Sequence, residues 1–557
     1  MFKKIALSLL AIIVIALIFI FGKFWLDATT DKYDVEIAED QIPLFESVAI
    51  NFTHKHNSEK SLPLASSALI DIDNDNVDEL FFGGGMSQDD ALFAYRDGQF
   101  VEISATVNLP KKIDSTTTLA AVSADFDNNG FTDLMISREN GLVIFYNTNG
   151  KFTETVIDTP VNEKSTPVGI TVGDINKDGL LDIFLSTYLR KELMEGQTIF
   201  EDYTYGSTSE LLLNNGDNTF KSITKEAGLD YIHNTFQGSL IDIDNDSWLD
   251  IIAVHDTGEV RTYKNNGDLT YTMVDNPITN RFAYPMGLAI GDYNNDGLVD
   301  FMFSNTGSTA PVFIVKGDIK DASLFTEKWI LFENQGDFKF KDVAQEALIA
   351  DYEFSWGAAF ADMNNDGLQD LMVAENYIDF PMSKIFKLDG RLLIQKEDHT
   401  FAPGIKKGGA TNPTYAITPL VSDFNKDGHL DLIWVNINDQ AKAFINKGNN
   451  KNNYVQVHLA DTGKEIGAKI TVYLKDRKLT DWLVTGEGLV SDQTALVHFG
   501  LKNDTQIEKI TIEYIDGTID TVNNPAINTV VNVALQKVQD IEDTDSNTDL
   551  DLNENTL

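Results

Sequence analysis

Apolar and polar positions along this chain fall into short strands. Seven apolar runs, LFFGGG, LMIS, IFLST, IIAVH, FMFSN, LMVAE and LIWVN, have the length and character of buried strands. Runs rich in small residues (VGITVGD, QGSLID, MGLAIGD and WGAAFAD) stand just before the third to sixth of them, where close neighbours would exclude bulk. Two further strands follow in each unit around an Asn/Gly/Asp turn such as NTNG or NNGD. Beyond Asn452 the alternation of YVQVHL, KITVYL and KITIEYI predicts half-buried strands, enough for a small sandwich. The exception is Ile5 to Phe21, an apolar run of 17 residues broken only by Ser8, which predicts a helix.

Between the small-residue strand and the apolar strand lies one nine-residue phrase, present seven times: DIDNDNVDE, DFDNNGFTD, DINKDGLLD, DIDNDSWLD, DYNNDGLVD, DMNNDGLQD and DFNKDGHLD. Each has Asp or Asn at positions 1, 3 and 5 and an acid at position 9. A hard divalent cation takes six to eight oxygens, and alternate residues of a tight loop turn their side chains inward to supply them. The predicted side-chain ligands are Asp71, Asp73, Asp75 and Glu79; Asp125, Asp127, Asn129 and Asp133; Asp174, Asn176, Asp178 and Asp182; Asp242, Asp244, Asp246 and Asp250; Asp292, Asn294, Asp296 and Asp300; Asp362, Asn364, Asp366 and Asp370; and Asp423, Asn425, Asp427 and Asp431. The position 7 carbonyls of Val77, Phe131, Leu180, Trp248, Leu298, Leu368 and His429 would complete the shells of up to seven calcium ions. Position 6 must bend sharply, and five copies place Gly there; Asn76 and Ser247 depart from it, as Glu79 departs from Asp at position 9. Position 12 never carries the Glu that an EF-hand requires.

Loop starts are 54, 49, 68, 50, 70 and 61 residues apart, a repeat with inserted loops. Four strands per unit with small residues innermost predict a seven-bladed β-propeller. The opening segment IPLFESVAINFTHKH reads as a strand pair without an acidic loop of its own. Joining it to the last repeat, near Asn446, would close the ring.

Composition narrows the function. A net charge of −43 excludes a nucleic-acid partner, and the absence of cysteine removes disulfides, thiolate metal sites and cysteine nucleophiles. Lys3 and Lys4 before the apolar run, and Lys23, Phe24 and Trp25 after it, predict an uncleaved membrane anchor with the rest of the chain outside. The alternative is a cleaved signal and a secreted product. The expected organisation is an anchor at 1–26, a spacer at 27–40, the propeller at 41–450, a small β domain at 451–537 and an acidic disordered tail at 538–557.

These repeats resemble the FG-GAP/VCBS family, whose propellers include the integrin α head and bind calcium in the hairpin between a blade's first two strands. NYVQVHL, GKEIGAKITVYL, GEGLVSDQTALVHFGL and ITIEYIDGTIDTV resemble the ASPIC/UnbV domain. Together they resemble the bacterial relatives of cartilage acidic protein. The resemblance is specific for fold and says little of activity.

Other candidate chemistry is sparser. His54 and His56 share one strand face without a third ligand and read as blade-edge residues. Asp89 with Asp90, and Glu201 with Asp202, read as chance acidic pairs. Long insertions follow the second strand of the third, fifth and sixth repeats, on the side opposite the acidic loops. There Tyr188, Arg190, Tyr203 and Tyr205 are the candidate contacts for a glycan or protein ligand. A binding module is the first reading and an extracytoplasmic polysaccharide lyase or hydrolase the second. The C-terminal domain, lacking acidic loops, is expected to contribute contacts rather than ions.

Overall fold

The computed structural model describes residues 30–112, 115–195, 198–308, 312–378 and 387–533, together with 14, 15, 22 and 26. The apolar run Ile5 to Phe21, apart from Val14 and Ile15, and the tail 538–557 lie outside the described residues. No helix among the described residues is long and apolar enough to cross a membrane.

Seven sheets, each built on four antiparallel strands, follow the seven acidic loops. Their first strands are Ser67–Ile70, Thr118–Ala124, Ser165–Gly173, Thr235–Ile241, Leu288–Gly291, Ser355–Ala361 and Ala416–Ser422. Every second strand begins on the position 9 acid itself, from Glu79 to Asp431. The loop therefore forms the tip of a hairpin, and its last ligand candidate is held by the ladder. Small residues line the first strands because neighbouring sheets approach to backbone contact. A Cβ on Gly169 would lie 2.5 Å from the Phe236 carbonyl oxygen, and one on Gly287 would lie 2.2 Å from that of Trp356. Between sheets the core is apolar; Phe81 and Leu92 of the first share it with Leu134 and Phe145 of the second.

Both ends of the chain meet in the seventh sheet. The strand Phe45–Thr53 lies outermost there, antiparallel to Gln440–Asn446, with Phe45 opposite Asn446. The opening segment supplies one nine-residue strand rather than the expected pair, because the last repeat lacks only one strand. Before it, the spacer runs along the sixth sheet: Asp31 pairs with Arg391 at 2.9 Å, Tyr33 donates to Asp351 at 2.7 Å, and the Gln41 carbonyl accepts from Asn364 at 2.9 Å.

Residues after 452 form two further sheets that share a core of Val455, Val457, Ile470 and Ile510. This unit lies across the acidic loops. Lys469 Nζ donates to Asn245 Oδ1 at 2.9 Å and to the Gly297 carbonyl at 2.7 Å; His498 Nε2 is 2.6 Å from Asn365 Oδ1. From it, residues 485–493 enter among the first strands of the sheets. Ser491–Asp492 pairs in parallel with Ser67–Ala68, Gly488 and Leu288 exchange backbone hydrogen bonds, and Thr485 Oγ1 accepts from Val172 N. Asp492 accepts from both the backbone and the hydroxyl of Ser123, and Glu487 from Ile290 N. The segment thereby supplies partners for backbone groups that innermost strands would otherwise leave unpaired.

Candidate metal loops and an opposite cavity

The seven loops share one hydrogen-bond scheme. The position 1 aspartate accepts from the backbone N–H of positions 5 and 6, as Asp174 does from Asp178 at 3.1 Å and Gly179 at 2.7 Å. The position 5 side chain accepts from the N–H of position 7, and one oxygen of the position 9 acid accepts from that of position 2. These bonds fold the loop so that its side chains converge. Ligand atoms of Asp71, Asp73 and Asp75, of Asp125, Asp127 and Asp133, and of Asp242, Asp244 and Asp250 lie within 4.8 Å of one another in each set. Asn76 and Ser247 adopt φ of 61° and 68°, so position 6 keeps the left-handed bend without glycine.

The carboxylates carry the electrostatic cost of this convergence. Burial, reinforced by neighbouring loop acids, pushes Asp133, Asp182 and Asp250 up to about 8, and Glu79 likewise to about 8. Burial drives Asp300, Asp370 and Asp431 well above the usual range. Such groups need a proton or a cation. In the fourth loop Lys264 Nζ provides one, paired with Asp244 and, at 2.6 Å, with Asp246. The sixth loop, with Asp362, Asn364, Asp366 and Asp370, is buried under the C-terminal unit. The carboxylate and carboxamide oxygens fit a calcium-type ion.

The strand signals did not reveal one group of residues that completes these loops. Asn147, Asn214, Asn265, Asn334 and Asn446 end the third strands and donate their backbone N–H to the second oxygen of the position 9 aspartate, at 2.6–2.8 Å. The side chains of Asn147, Asn265, Asn334 and Asn446 also reach the position 2 carbonyl of the preceding loop, tying sheet to sheet. The available signal was an Asn two or three residues before a turn glycine, as in NNG and NTNG.

At the other ends of the second strands the surface is different. Tyr188 stands six residues past Asp182, about 20 Å along the strand. A cavity of about 360 Å³ opens there, lined by Tyr188, Tyr205, Phe236, Asp256, Tyr284 and Trp356 among others. Tyr188 Oη donates to Asp256 Oδ2 at 2.6 Å and is buried against Phe236, with ring centroids 5.0 Å apart. Tyr205 Oη accepts from Glu195 N, whereas Tyr203 projects to solvent and Arg190 does not line the cavity. Of the remaining pairs, His54 is buried with Nδ1 at 2.9 Å from the Gly83 carbonyl, and Asp90 is ion-paired with Arg138 at 3.1 Å. Asp89 accepts from Lys112 N, Glu201 pairs with Lys320, and Asp202 accepts from Thr204.

Comparison with known proteins places this architecture. An FG-GAP-like repeat model matches residues 71–136, 125–185, 242–303 and 322–373, and an ASPIC and UnbV model matches 461–555. The chain belongs to the β-propeller proteins that combine FG-GAP-like repeats with an ASPIC and UnbV domain. It is similar to human cartilage acidic protein 1, at 22% identity over 78% of this chain and 75% of that protein. It is also similar to the Xenopus tropicalis protein of that name, at 25% identity over 52% of this chain and 43% of that one. The chain thus spans under half of the Xenopus relative. Among solved structures, YCF48 bound to a D1 peptide aligns with a TM-score of 0.40 at 10% identity, over 72% of this chain and 99% of that one.

Proposed function

We propose that this protein is a membrane-anchored, extracytoplasmic binding module whose seven sheets form the blades of a closed ring and whose acidic loops hold structural calcium. The proposed parts are an anchor at 1–26, a spacer to 40, the ring to 450, the ASPIC and UnbV domain to 537 and a disordered tail. The ligand is a glycan, taken up in the cavity opposite the loops. The observation that carries this reading is the cavity itself: its volume suits one or two sugar rings, Tyr205, Tyr284 and Trp356 offer ring faces, and Asp256 offers an acceptor. The ligand set proposed for the ions is the one read from the sequence, and Tyr188 and Tyr205 are the proposed ligand contacts. Tyr203 and Arg190 would serve only a ligand larger than the cavity.

A second reading has one observation in its favour. Tyr188 and Asp256 form a buried hydrogen-bonded pair inside the same cavity, an arrangement that a lyase or hydrolase would use for proton transfer. One experiment addresses both: the purified chain is screened on a glycan array in calcium while released product is monitored. Retention of a glycan without product, lost in Tyr205→Ser, is the expected result. Product release abolished by Asp256→Asn would favour the enzyme, and no retained glycan would remove the binding reading.

A further inference from the structure

The first loop departs from the other six at positions 6, 8 and 9, and the first two departures lead to the same place. Position 6 is Asn76 where five copies have glycine, and position 8 is Asp78 where the others carry Thr132, Leu181, Leu249, Val299, Gln369 and Leu430. Neither residue belongs to the alternate-position set that supplies the loop's own ion. Both line a small void of about 10 Å³ where the first and second sheets meet the C-terminal unit; Asp71 of the loop's own set borders it, and Asp461 faces it from the other side.

Asp461 is 5% exposed and Asp78 7%. One Asp461 oxygen accepts from Thr132 Oγ1 at 3.2 Å; the other, Oδ1, is buried without a hydrogen-bond partner. Asn76 Oδ1 is likewise buried and unpartnered. Asp78 Oδ2 accepts from Ser422 Oγ at 2.5 Å. No Lys or Arg lines the void, and the imidazole there, His458, is held toward its neutral form by burial. A buried, unpaired acceptor is costly, more so when charged, and two on one void call for an occupant. The void is the size of one water or one ion. Asp78 and Asp461, like the loop acids, need a proton or a cation, and a water supplies neither. A hard divalent ion satisfies all the oxygens at once.

We infer that Asp461, Asp78 and the Asn76 side-chain carbonyl form a further calcium site, separate from the loop ions, that joins the first sheet to the C-terminal unit. Asn76 is then not a poor substitute for glycine: it keeps the left-handed bend and adds a carbonyl that glycine cannot supply. The C-terminal unit contributes a ligand as well as contacts.

The test counts calcium per chain by equilibrium dialysis and elemental analysis, on the full chain and on Asp461→Asn, Asn76→Gly and the double variant. Each single change is expected to remove one ion, and the double also one, because both residues serve the same ion. Asn76→Gly decides the matter should Asp461→Asn disturb the packing, since it installs the residue the other loops use. Unchanged counts in both single variants, or a loss of two in the double, would overturn the inference. Asp73→Asn separates this from the loops: an ion lost there while Asp461→Asn and Asn76→Gly keep theirs leaves the loop reading standing and removes this site.

Discussion

The two ends of this body are made by the same strands, yet one is acidic and covered and the other holds an open, partly aromatic cavity. At one end every second strand starts on an acid, and the C-terminal unit lies over the resulting hairpins, burying the sixth loop and sending residues 485–493 among the first strands. At the other end the same strands finish in Leu189, His255 and Glu375, and a cavity lined by six aromatic side chains among aliphatic and polar ones remains open. The loop end gathers buried carboxylates that need a proton or a cation, so stability is expected to depend most on that end. The proposed recognition belongs to the opposite end, where the cavity lined by Tyr188, Tyr205 and Trp356 opens.

The largest effect that could break this comparison is removal of the ions. At a calcium concentration a hundredfold above the dissociation constant each site adds about 2.7 kcal/mol. Stripping several sites with a chelator is expected to lower the melting temperature by roughly 10 °C or more. A scanning-calorimetry melt unmoved by chelator would mean that the loop end is not held by cations.

A smaller effect has a distinctive sign. Without calcium, Asp133, Asp182 and Asp250 are pushed by burial up to about 8, so between their unfolded range and pH 8 the folded chain binds more protons than the unfolded one. The stability they contribute is present at low pH and lost as pH rises through about 8. The calcium-free protein is therefore expected to melt higher at pH 5 than at pH 8. In excess calcium the order should reverse, because protons then compete with the ion. Parallel melts at the two pH values, with and without calcium, check both signs.

The smallest effect concerns Lys264, which is ion-paired with two acids of the fourth loop. Lys264→Met leaves Asp244 and Asp246 facing each other without the ammonium. In chelator the melt should fall by roughly 2 °C, since the pair is part-exposed and screened. Added calcium should restore it, and a melt lowered equally in calcium would show that Lys264 acts through packing instead.

Much of this architecture was legible because it is local. The acidic phrase fixes its own turn, the position 9 acid starts the next strand, and small residues mark the strands that approach one another. Closure through Phe45–Thr53 was legible as well, since the last repeat lacked a partner. The remaining features depend on distance in sequence. Nothing near Thr485 or Asp492 announces that they meet Val172 and Ser123, more than three hundred residues away. Lys264 looks like any exposed strand lysine until the fourth loop folds against it. Tyr188 was picked out for a partner surface, but Asp256, which accepts its hydroxyl, lies one sheet further on.

The most direct measurement is calorimetric titration of calcium into the metal-stripped chain and into Asp174→Ala/Asp178→Ala. The account predicts several bound ions in the unaltered chain and about one fewer in the double variant. Equal stoichiometry in the two, or no binding in either, would contradict it.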